Sequence, residues 1–589
     1  MGRHIHISFI ALLGAPVYAM SLLNVSQSSW NMFNASVSGH LHNGQPMMAP
    51  CYINYNGHIQ RLDLGKCLSL EKNETDSIFI ADHFGGYQNN NWASCQATGE
   101  SCTPSSVLSE KPLPGSCMQG SVPYKYVEAT GVEDVQKTLA FATKNKLRLV
   151  IKNTGHDYKG RSSAPDSLAL WMHPYQPPME LDTDFVPEGC SSSAGSVITF
   201  GAGQEFQGIY DFAHDRNYRV VGGSSRSVGA AGGWITGGGH SALSNELGLG
   251  VDNVQQLKAV LPNGTYVTAN RCQNQDIFYA LRGGGGGTFG VVMEMSTLAH
   301  PEKPMELAQA TLIGIDRENT AEFLSIIVAN AEKWSLEGWG GYIQLGAVGD
   351  AFISFIMTTS MLNHSQAEQS MQPVLDFADQ AGLALQANVT SMDSYYDVIN
   401  KMITAPSGAV ALSSRIIPKQ AFGDESSQKE LATILENLIF DPPGDGSVGV
   451  SPVMICVTTP ALYSQTLPAS DQPGGPGESS VTPSWRDGLW HAIYIRMSTG
   501  LSTNPKRTWQ GVHDAINPLR DFTPGSGTYQ NEADPFEPDP IGTFWGQDHY
   551  DRLLQIKREV DPANVLTVHQ GVGWEATDSR YHCYPDVSN

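Results

Sequence analysis

Residues 122–302 alternate short apolar runs with amphipathic segments, a pattern that predicts both helices and strands. In GVEDVQKTLAFATKNK, Val135, Leu139 and Ala142 recur at helical spacing, and the apolar run LRLVIK that follows predicts a buried strand. VQQLKAVLPNGTYVTAN predicts a β-hairpin that turns at residues 262–264. The first half of the chain is therefore expected to be a mixed domain of short elements.

After about His300 the apolar pattern becomes longer. NTAEFLSIIVANAEKW and QKELATILENLIF have helical spacing, whereas AFISFIMTTSML and HAIYIRMST resemble strands. Such interleaving predicts an antiparallel sheet covered by helices, and the whole chain is expected to belong to the α+β class.

The balance of charge argues against one class of partner. The chain has 35 Lys and Arg against 58 Asp and Glu, so its formal net charge is -23. A chain of this charge, without a compensating basic run, offers no field that would hold a phosphate backbone. We therefore expect no nucleic-acid partner.

The first 19 residues, MGRHIHISFIALLGAPVYA, resemble a secretory signal peptide. Arg3 precedes a short apolar stretch, and small residues stand at Val17 and Ala19, where a signal peptidase would cut. The stretch is too short to span a bilayer. Six glycosylation sequons agree with a secretory route, at Asn24, Asn34, Asn73, Asn263, Asn363 and Asn388. We expect a secreted glycoprotein, extracellular or vacuolar, without a membrane span.

Cysteine placement predicts a disulfide-stapled lobe at the N-terminal end. Five of the nine cysteines lie before residue 120, in a region too rich in Gly, Asn and Ser to build a large core: Cys51, Cys67, Cys95, Cys102 and Cys117. No CxxC occurs and no Cys pair lies near a His pair, so no metal site is predicted. An odd total leaves at least one thiol without an intrachain partner.

Glycine is concentrated in VVGGSSRSVGAAGGWITGGGHSALSNELGLG, residues 220–250. Glycine of this density between strands favours a backbone that approaches a flat or phosphorylated ligand, although tight turns alone remain an alternative. GGGTFG, at residues 285–290, matches G-x-G-x-x-G but lies between a helix and a strand, the reverse of the order in nicotinamide-binding domains. We reject a nicotinamide site.

One histidine stands between glycines directly after a predicted strand, in LVIKNTGHDYKGRSS, residues 149–163. From the residues alone it could be a structural histidine that caps the loop. The order Lys152, Gly155, His156, Gly160 follows the pattern (R/K)-x-x-G-H-x-x-x-G, which resembles the flavin-binding segment of the vanillyl-alcohol-oxidase superfamily. Within it the chain is similar to the berberine-bridge-enzyme-like branch and to secreted fungal oxidases of the isoamyl-alcohol-oxidase type.

Further segments fall in the family's order: VGAAGGWITGGGHS, GLGVDNV, LRGGGGGTFGVV and IKREVDPANV. The resemblance implies a signal peptide (1–19), a disulfide-rich N-terminal lobe (20–120), a two-part PCMH-type FAD-binding domain (121–302), a substrate domain (303–540) and a C-terminal return to the FAD domain (541–589). It predicts no particular oligomeric state.

The same resemblance implies FAD as cofactor, with one covalent link through the imidazole of His156. The residues expected along the FAD are Asn153, Thr154, Gly155, Asp157, Gly160, Ser162, Ser225, Val228, Gly229, Gly239, His240, Gly250 and Val291. Some family members carry a second tether, a cysteine, where this chain has Ser225, so a single link is implied. For Asp157, capping of a turn is an equally good interpretation.

Family members oxidise a substrate by hydride transfer to flavin N5, with O2 as the final acceptor. For an alcohol of a small molecule, such as a secondary-metabolite intermediate, this chemistry requires a base. The segment TYQNEAD suggests Tyr529 or Glu532, because Glu532 replaces a tyrosine common among relatives. Weaker candidates are Tyr342, His491 and Tyr494. The alternatives left open are a carbohydrate oxidase, an oxidative-cyclising enzyme and a catalytically silent secreted glycoprotein.

Overall fold

The computed structural model describes residues 22–102, 116–348, 350–402, 408–443, 452–498, 501–502 and 504–587. The predicted signal peptide lies outside the described residues. None of the described helices combines the length and the apolar character needed to cross a bilayer.

The N-terminal lobe is small and partly merged with the next domain. Its elements are α1 (Gln27–Ser36), β1 (Leu41–Asn43), β2 (Asn54–Tyr55), β3 (His58–Ile59), α2 (Leu64–Lys72), α3 (Ser77–Ala81) and β4 (Ser116–Cys117). Helix α1 buries Trp30 and Phe33, and the Phe33 ring stacks on Phe141 at 4.0 Å. Strand β1 pairs with the first strand of the next domain.

The cysteines of the lobe pair in two ways. Cys51–Cys67 and Cys102–Cys117 staple the lobe itself, as predicted. Cys95 instead pairs with Cys583, 488 residues away, so this cysteine ties the lobe to the C-terminal tail. Cys190–Cys272 forms a fourth bridge outside the lobe, and Cys456 is the free cysteine among the described residues.

The first domain contains two sheets. Its elements are β5 (Lys125–Glu128), α4 (Val132–Asn145), β6 (Leu149–Lys152), β7 (Leu168–Trp171), β8 (Glu180–Asp182), β9 (Val197–Gly201), α5 (Phe206–His214), β10 (Tyr218–Arg219), α6 (Ile235–Gly237), α7 (Ser244–Leu247), α8 (Gly250–Asn253), β11 (Val254–Val260), β12 (Tyr266–Asn270), α9 (Gln275–Ala280), β13 (Val291–Leu298) and β14 (His300–Pro301). One sheet has the order β1-β5-β7-β6, the other β12-β11-β13-β9-β8. The short strands β10 and β14 pair separately.

The local sequence patterns of this domain predicted a helix, a hairpin and a buried strand, and the structure contains all three. Val135, Leu139 and Ala142 are fully buried on one face of α4, and α4 ends at Lys146, whose φ of 51° is left-handed. The predicted hairpin is β11–β12, with Gly264 at φ +86° in its turn. Strand β6 ends at Lys152, so the segment around His156 begins directly at a strand end.

The second domain is a seven-stranded antiparallel sheet with helices on one face, as predicted. Its elements are β15 (Met305–Ile315), α10 (Arg317–Leu336), β16 (Gly340–Val348), β17 (Asp350–Thr359), α11 (His364–Ala381), β18 (Ala384–Met392), α12 (Tyr395–Ile399), β19 (Ala409–Pro418), α13 (Glu425–Phe440), β20 (Val453–Val457), α14 (Ala461–Ser464), α15 (Ser484–Asp487), β21 (Gly488–Ser498), α16 (Pro505–Ala515) and α17 (Asn517–Phe522). The strand order is β18-β15-β17-β16-β20-β21-β19. The opposite face of its central strands is turned towards the first domain.

The C-terminal region returns to the first domain through α18 (Pro540–Phe544) and α19 (Gln547–Val560). The Trp545 indole N–H donates to the carbonyl of Gly283 at 3.0 Å. The buried ammonium of Lys557 donates to the carbonyl of Thr288 at 2.9 Å and pairs with Asp561. These contacts fix the glycine loop that precedes β13.

Candidate functional site

A cavity lies between the helix-free face of the second domain's sheet and the loops of the first domain. It encloses about 1940 Å³ of space not filled by protein atoms, including its mouth. Many of the residues expected along the cofactor line it, namely Asn153, Thr154, Gly155, His156, Asp157, Ser162, Ser225, Val228, Gly229, His240 and Val291. The fold therefore brings together segments that are separated by more than a hundred residues.

The loop that carries His156 is held by the N-terminal lobe. The side-chain amide of Asn89 donates to the carbonyls of His156 and Asp157, at 3.0 and 3.3 Å. The indole N–H of Trp92 donates to the carbonyl of Tyr158 at 2.7 Å. Gly155 has φ +85°, and a Cβ there would lie 2.8 Å from the carbonyl oxygen of Gly86. This position favours glycine, because the backbone is left-handed and the lobe leaves no space.

His156 and Ser227 form what we call the His156 site. The Nε2 of His156 lies 2.8 Å from the hydroxyl of Ser227, and the Nδ1 has no hydrogen-bond partner among the described residues. Burial, with the nearby charge of Lys152, lowers the pKa of His156 to about 3. The imidazole is therefore neutral at physiological pH, which is the state in which its nitrogen can act as a nucleophile.

The glycine segment forms a close cradle opposite this loop. A Cβ on Gly229 would lie 2.4 Å from the Asn153 amide, and the backbone N–H of Gly229 donates to the Thr154 hydroxyl at 3.2 Å. Ser225 Oγ and Asn153 Oδ1 are buried, and each lacks a hydrogen-bond partner within the described part of the chain. Buried polar atoms without partners indicate a polar ligand. These residues fit the phosphate and ring polar groups of FAD.

Three of the expected glycines do not line the cavity. A Cβ on Gly160 would lie 2.4 Å from the ring of Trp92, and the corresponding atoms on Gly239 and Gly250 would meet the ring of Trp234. Because these glycines have no side chain, an indole can pack closely against each of them. Their role in this structure therefore differs from the ligand contact that was expected.

Asp157 caps a turn. Its Oδ2 accepts hydrogen bonds from the backbone N–H groups of Lys159 and Arg161, at 3.1 and 2.6 Å. Its Oδ1 pairs with the Arg161 guanidinium, which also donates to the Asn531 amide oxygen at 2.9 Å. Asp157 also lines the cavity, and its role in cofactor binding stays a prediction.

His240, His491 and Glu532 form what we call the Glu532 site. Glu532 Oε2 lies 3.1 Å from His240 Nε2 and 3.5 Å from His491 Nδ1. The Glu532 side chain is 21 % exposed and lines the cavity, whereas His491 is fully buried. The Tyr529 ring packs edge-on against the two histidines, and the Trp485 ring packs against both in a tilted arrangement.

The Glu532 carboxyl is held in its ionised form. Burial alone would raise its pKa, but the interaction with His240 and its hydrogen bond, together with His491, lower the pKa of Glu532 below the usual value of 4.5. Burial also lowers the pKa of His491 to about 3, although Glu532 opposes that shift. A carboxylate therefore faces the cavity, next to a neutral imidazole.

Ligand atoms of these three residues lie within 4.8 Å of one another, a spacing that a metal ion could bridge. Histidines that bind metals almost always donate their second ring N–H to an acceptor. Within the described part of the chain, His240 Nδ1 and both nitrogens of His491 have no hydrogen-bond partner. The arrangement favours a site for proton transfer or substrate contact over a metal centre.

Tyr529 lies beside the Glu532 site but its hydroxyl is already engaged. It donates to the Trp234 carbonyl at 3.3 Å and accepts from the Asn531 amide at 2.7 Å. Burial and the charge of Glu532 raise the pKa of Tyr529. Of the weaker candidates, Tyr342 lines the cavity, and Tyr494 lies in the core on the helix-covered face of the sheet.

Sequence reasoning missed several cavity residues. Tyr158 and Cys456 line the cavity near Glu532, and burial raises the pKa of the Cys456 thiol. Alternation along the strands could have indicated which residues of β16, β20 and β21 share a face. Alternation could not have shown that this face lies opposite the loop that carries His156 and the glycine segment.

Comparison with known proteins agrees with this geometry. Residues 123–270 match the family model "FAD binding domain", and residues 528–573 match "Berberine and berberine like". The FAD-linked oxidoreductase ffsJ of Aspergillus flavipes is 32 % identical and aligns over 94 % of this chain and 93 % of its own length. The FAD-linked oxidoreductase phmC of Phaeosphaeria nodorum is 34 % identical over 74 % of this chain and 91 % of its own.

Solved structures show the same architecture. A VAO-type flavoprotein from Myceliophthora thermophila C1 has a TM-score of 0.83 and 25 % identity, over 95 % of this chain and 97 % of that one. A glucooligosaccharide oxidase from Acremonium strictum, described with a 6-S-cysteinyl, 8α-N1-histidyl FAD, has a TM-score of 0.59 and 18 % identity, over 76 % and 91 %. At this low identity, the similarity to the glucooligosaccharide oxidase shows the fold alone.

Proposed function

The chain belongs to the family of FAD-linked oxidoreductases with a berberine-like C-terminal region, and we propose that it is a secreted oxidase that converts an alcohol group of a small molecule to a carbonyl. The observation that carries this proposal is one cavity that holds both a neutral nucleophilic histidine, His156, and an ionised carboxylate, Glu532. The first suits attachment of the cofactor and the second suits removal of a proton.

Bound FAD would supply a hydride acceptor, and O2 as the final electron acceptor would be reduced to hydrogen peroxide. The chain's own residues have three tasks. Backbone N–H groups of the glycine segment and the loop after β6 bind the cofactor's phosphates. His156 holds the ring system through its imidazole. The sheet face of the second domain encloses the substrate.

Glu532 accepts the hydroxyl proton of the substrate as the hydride leaves. Oε2 is occupied by His240, and Oε1 has no hydrogen-bond partner among the described residues. The position of Glu532 in the cavity lining, with its side chain partly exposed, supports the role of a base. His240 keeps the carboxylate oriented, in the way a fixed partner orients a catalytic base elsewhere.

Secretion is proposed from the N-terminal pattern and the four disulfides, since disulfides persist in oxidising compartments. The alternative of a catalytically silent secreted glycoprotein gives no reason for unpartnered polar atoms in the cradle. It would be supported if purified protein were colourless.

The covalent link is tested by denaturing the purified protein. We expect the wild type to stay yellow and to yield a peptide containing His156 with the added mass of FAD. His156→Ala should release its FAD completely on denaturation, and the exposed control variant His58→Ala should retain it. Covalent FAD in His156→Ala would refute the assignment. A panel of alcohols, assayed by peroxide release, then tests the reaction.

A further inference from the structure

We propose that the substrate is an alcohol with an elongated apolar body, and not a carbohydrate; this inference rests on the function proposed above. The face of the second domain's sheet that lines the cavity carries the residues that would bind this substrate class.

The wall is made by alternate residues of neighbouring strands. Met454 on β20 lies opposite Ile493 on β21, and Leu412 on β19 lies opposite Ile495. All four line the cavity, as does Ile356 on β17. Because β20, β21 and β19 are adjacent, their four side chains form one aliphatic surface, and Ile356 is separated from it by Tyr342 and Gln344 on β16. Adjacent strands lie about 4.8 Å apart, so β20, β21 and β19 span about 10 Å.

Polar groups are concentrated at one end of this wall. His491 of the Glu532 site stands on β21 two residues before Ile493, on the same face, and Ile495 follows two residues later. Two residues of a strand advance about 6.8 Å, so the aliphatic wall extends about 13 Å beyond His491. A substrate hydroxyl at Glu532 would therefore have its carbon body along Ile493 and Ile495.

A carbohydrate does not match this surface. Every hydroxyl of a sugar needs a hydrogen-bond partner when water is removed. Among the described residues that line the cavity, those from the sheet carry no charge. The polar residues Gln344 and Ser354 lie opposite each other on β16 and β17, on the side of Met454 that is away from Leu412 and Ile495. An apolar chain loses no hydrogen bonds there and gains from burial.

Binding can be measured apart from turnover with tertiary alcohols, which lack the hydrogen that an oxidase removes. We would titrate the holoenzyme with 2-methyl-2-alkanols of increasing chain length and follow the change in the flavin absorption spectrum. The dissociation constant should fall about fourfold for each added methylene until the wall is covered. Glucose and cellobiose should not perturb the spectrum at comparable concentrations. Tighter binding of the sugars, or no dependence on chain length, would overturn the proposal.

A substitution at Ile493 tests whether the apolar chain of the ligand lies along this wall. Ile493→Thr should weaken binding of the eight-carbon homologue roughly tenfold and leave the shortest homologue unchanged. Ile313→Thr, on an exposed position of β15 in the same sheet, should bind like the wild type. The chain-length series on the wild type decides the matter if Ile493→Thr fails to fold. Length-dependent binding without oxidation of any primary alcohol would refute the proposed reaction but support this inference.

Discussion

Two histidine sites lie in the same cavity and differ in the partner each histidine has. At the His156 site the imidazole meets a neutral hydroxyl, Ser227, at 2.8 Å. At the Glu532 site two imidazoles meet one carboxylate, at 3.1 and 3.5 Å. At the His156 site, burial and the nearby charge of Lys152 keep the imidazole neutral and nucleophilic, whereas at the Glu532 site the carboxylate between the imidazoles provides a place for a proton. The residue type is the same, and the surroundings decide the chemistry.

Removal of the carboxylate should have the largest effect on turnover. Glu532→Gln keeps the shape of the side chain but cannot accept a proton, so we expect kcat to fall about 10²- to 10⁴-fold. The covalently bound FAD should be unchanged, because the His156 site is intact. Peroxide assays and the spectrum of denatured protein check the two statements. Near-normal kcat would mean that the base lies elsewhere.

Removal of His240 should change the pH dependence. The interaction with His240 and its hydrogen bond favour the ionised form of Glu532 and lower its pKa. Without His240, burial raises the Glu532 pKa, and Glu532 must be deprotonated to act. In His240→Ala the acid limb of kcat/KM should therefore move to higher pH, with activity regained above it.

The control for this profile is His58→Ala, an exposed change in the lobe, which should leave the acid limb where it is in the wild type. If the acid limb of the kcat/KM profile were unshifted in His240→Ala, His240 would not control the protonation of the Glu532 carboxyl group.

At the His156 site a smaller effect is expected from Ser227→Ala. Loss of one neutral hydrogen bond costs about 0.5–1.5 kcal/mol, so the rate of covalent FAD attachment should fall about two- to tenfold. Turnover of fully loaded enzyme should not change. The time course of flavin incorporation into apoprotein measures this rate, with the exposed variant Ser325→Ala as control. An equal loss of kcat in loaded enzyme would contradict the separation of the two sites.

Tyr529→Phe should have the smallest effect. The Tyr529 hydroxyl already bonds with Trp234 and Asn531, so its loss should change kcat by less than about fivefold. Steady-state assays at the optimum pH check this value. A loss as large as that of Glu532→Gln would transfer the role of base to Tyr529.

The sequence was sufficient for elements with strong local patterns. Helix α4 and the β11–β12 hairpin are dictated by apolar spacing and turn residues, and both are confirmed. The segment from Lys152 to Gly160 has a spacing specific enough to indicate a flavin protein, and the FAD-binding match confirms the family. The five cysteines before residue 120 predicted a disulfide-stapled lobe but not its pairings, and Cys51–Cys67 and Cys102–Cys117 are the two bridges within it.

Other features depended on distant neighbours. Gly160, Gly239 and Gly250 are explained by the indoles of Trp92 and Trp234, which the sequence does not place against them. Cys95 finds its partner 488 residues away. Glu532 was one of the two main candidates for the base. The two histidines beside it, His240 and His491, come from other segments of the chain.

By itself the sequence determined the local elements, the cofactor class and the loop that carries His156, because each depends on residues that are close along the chain. The tertiary structure decided which polar groups meet, which glycines line the cavity and which face of the sheet encloses it. The physical reason is that burial and charge act through space. The environment of Glu532 comes from three segments that meet only when both domains are packed together.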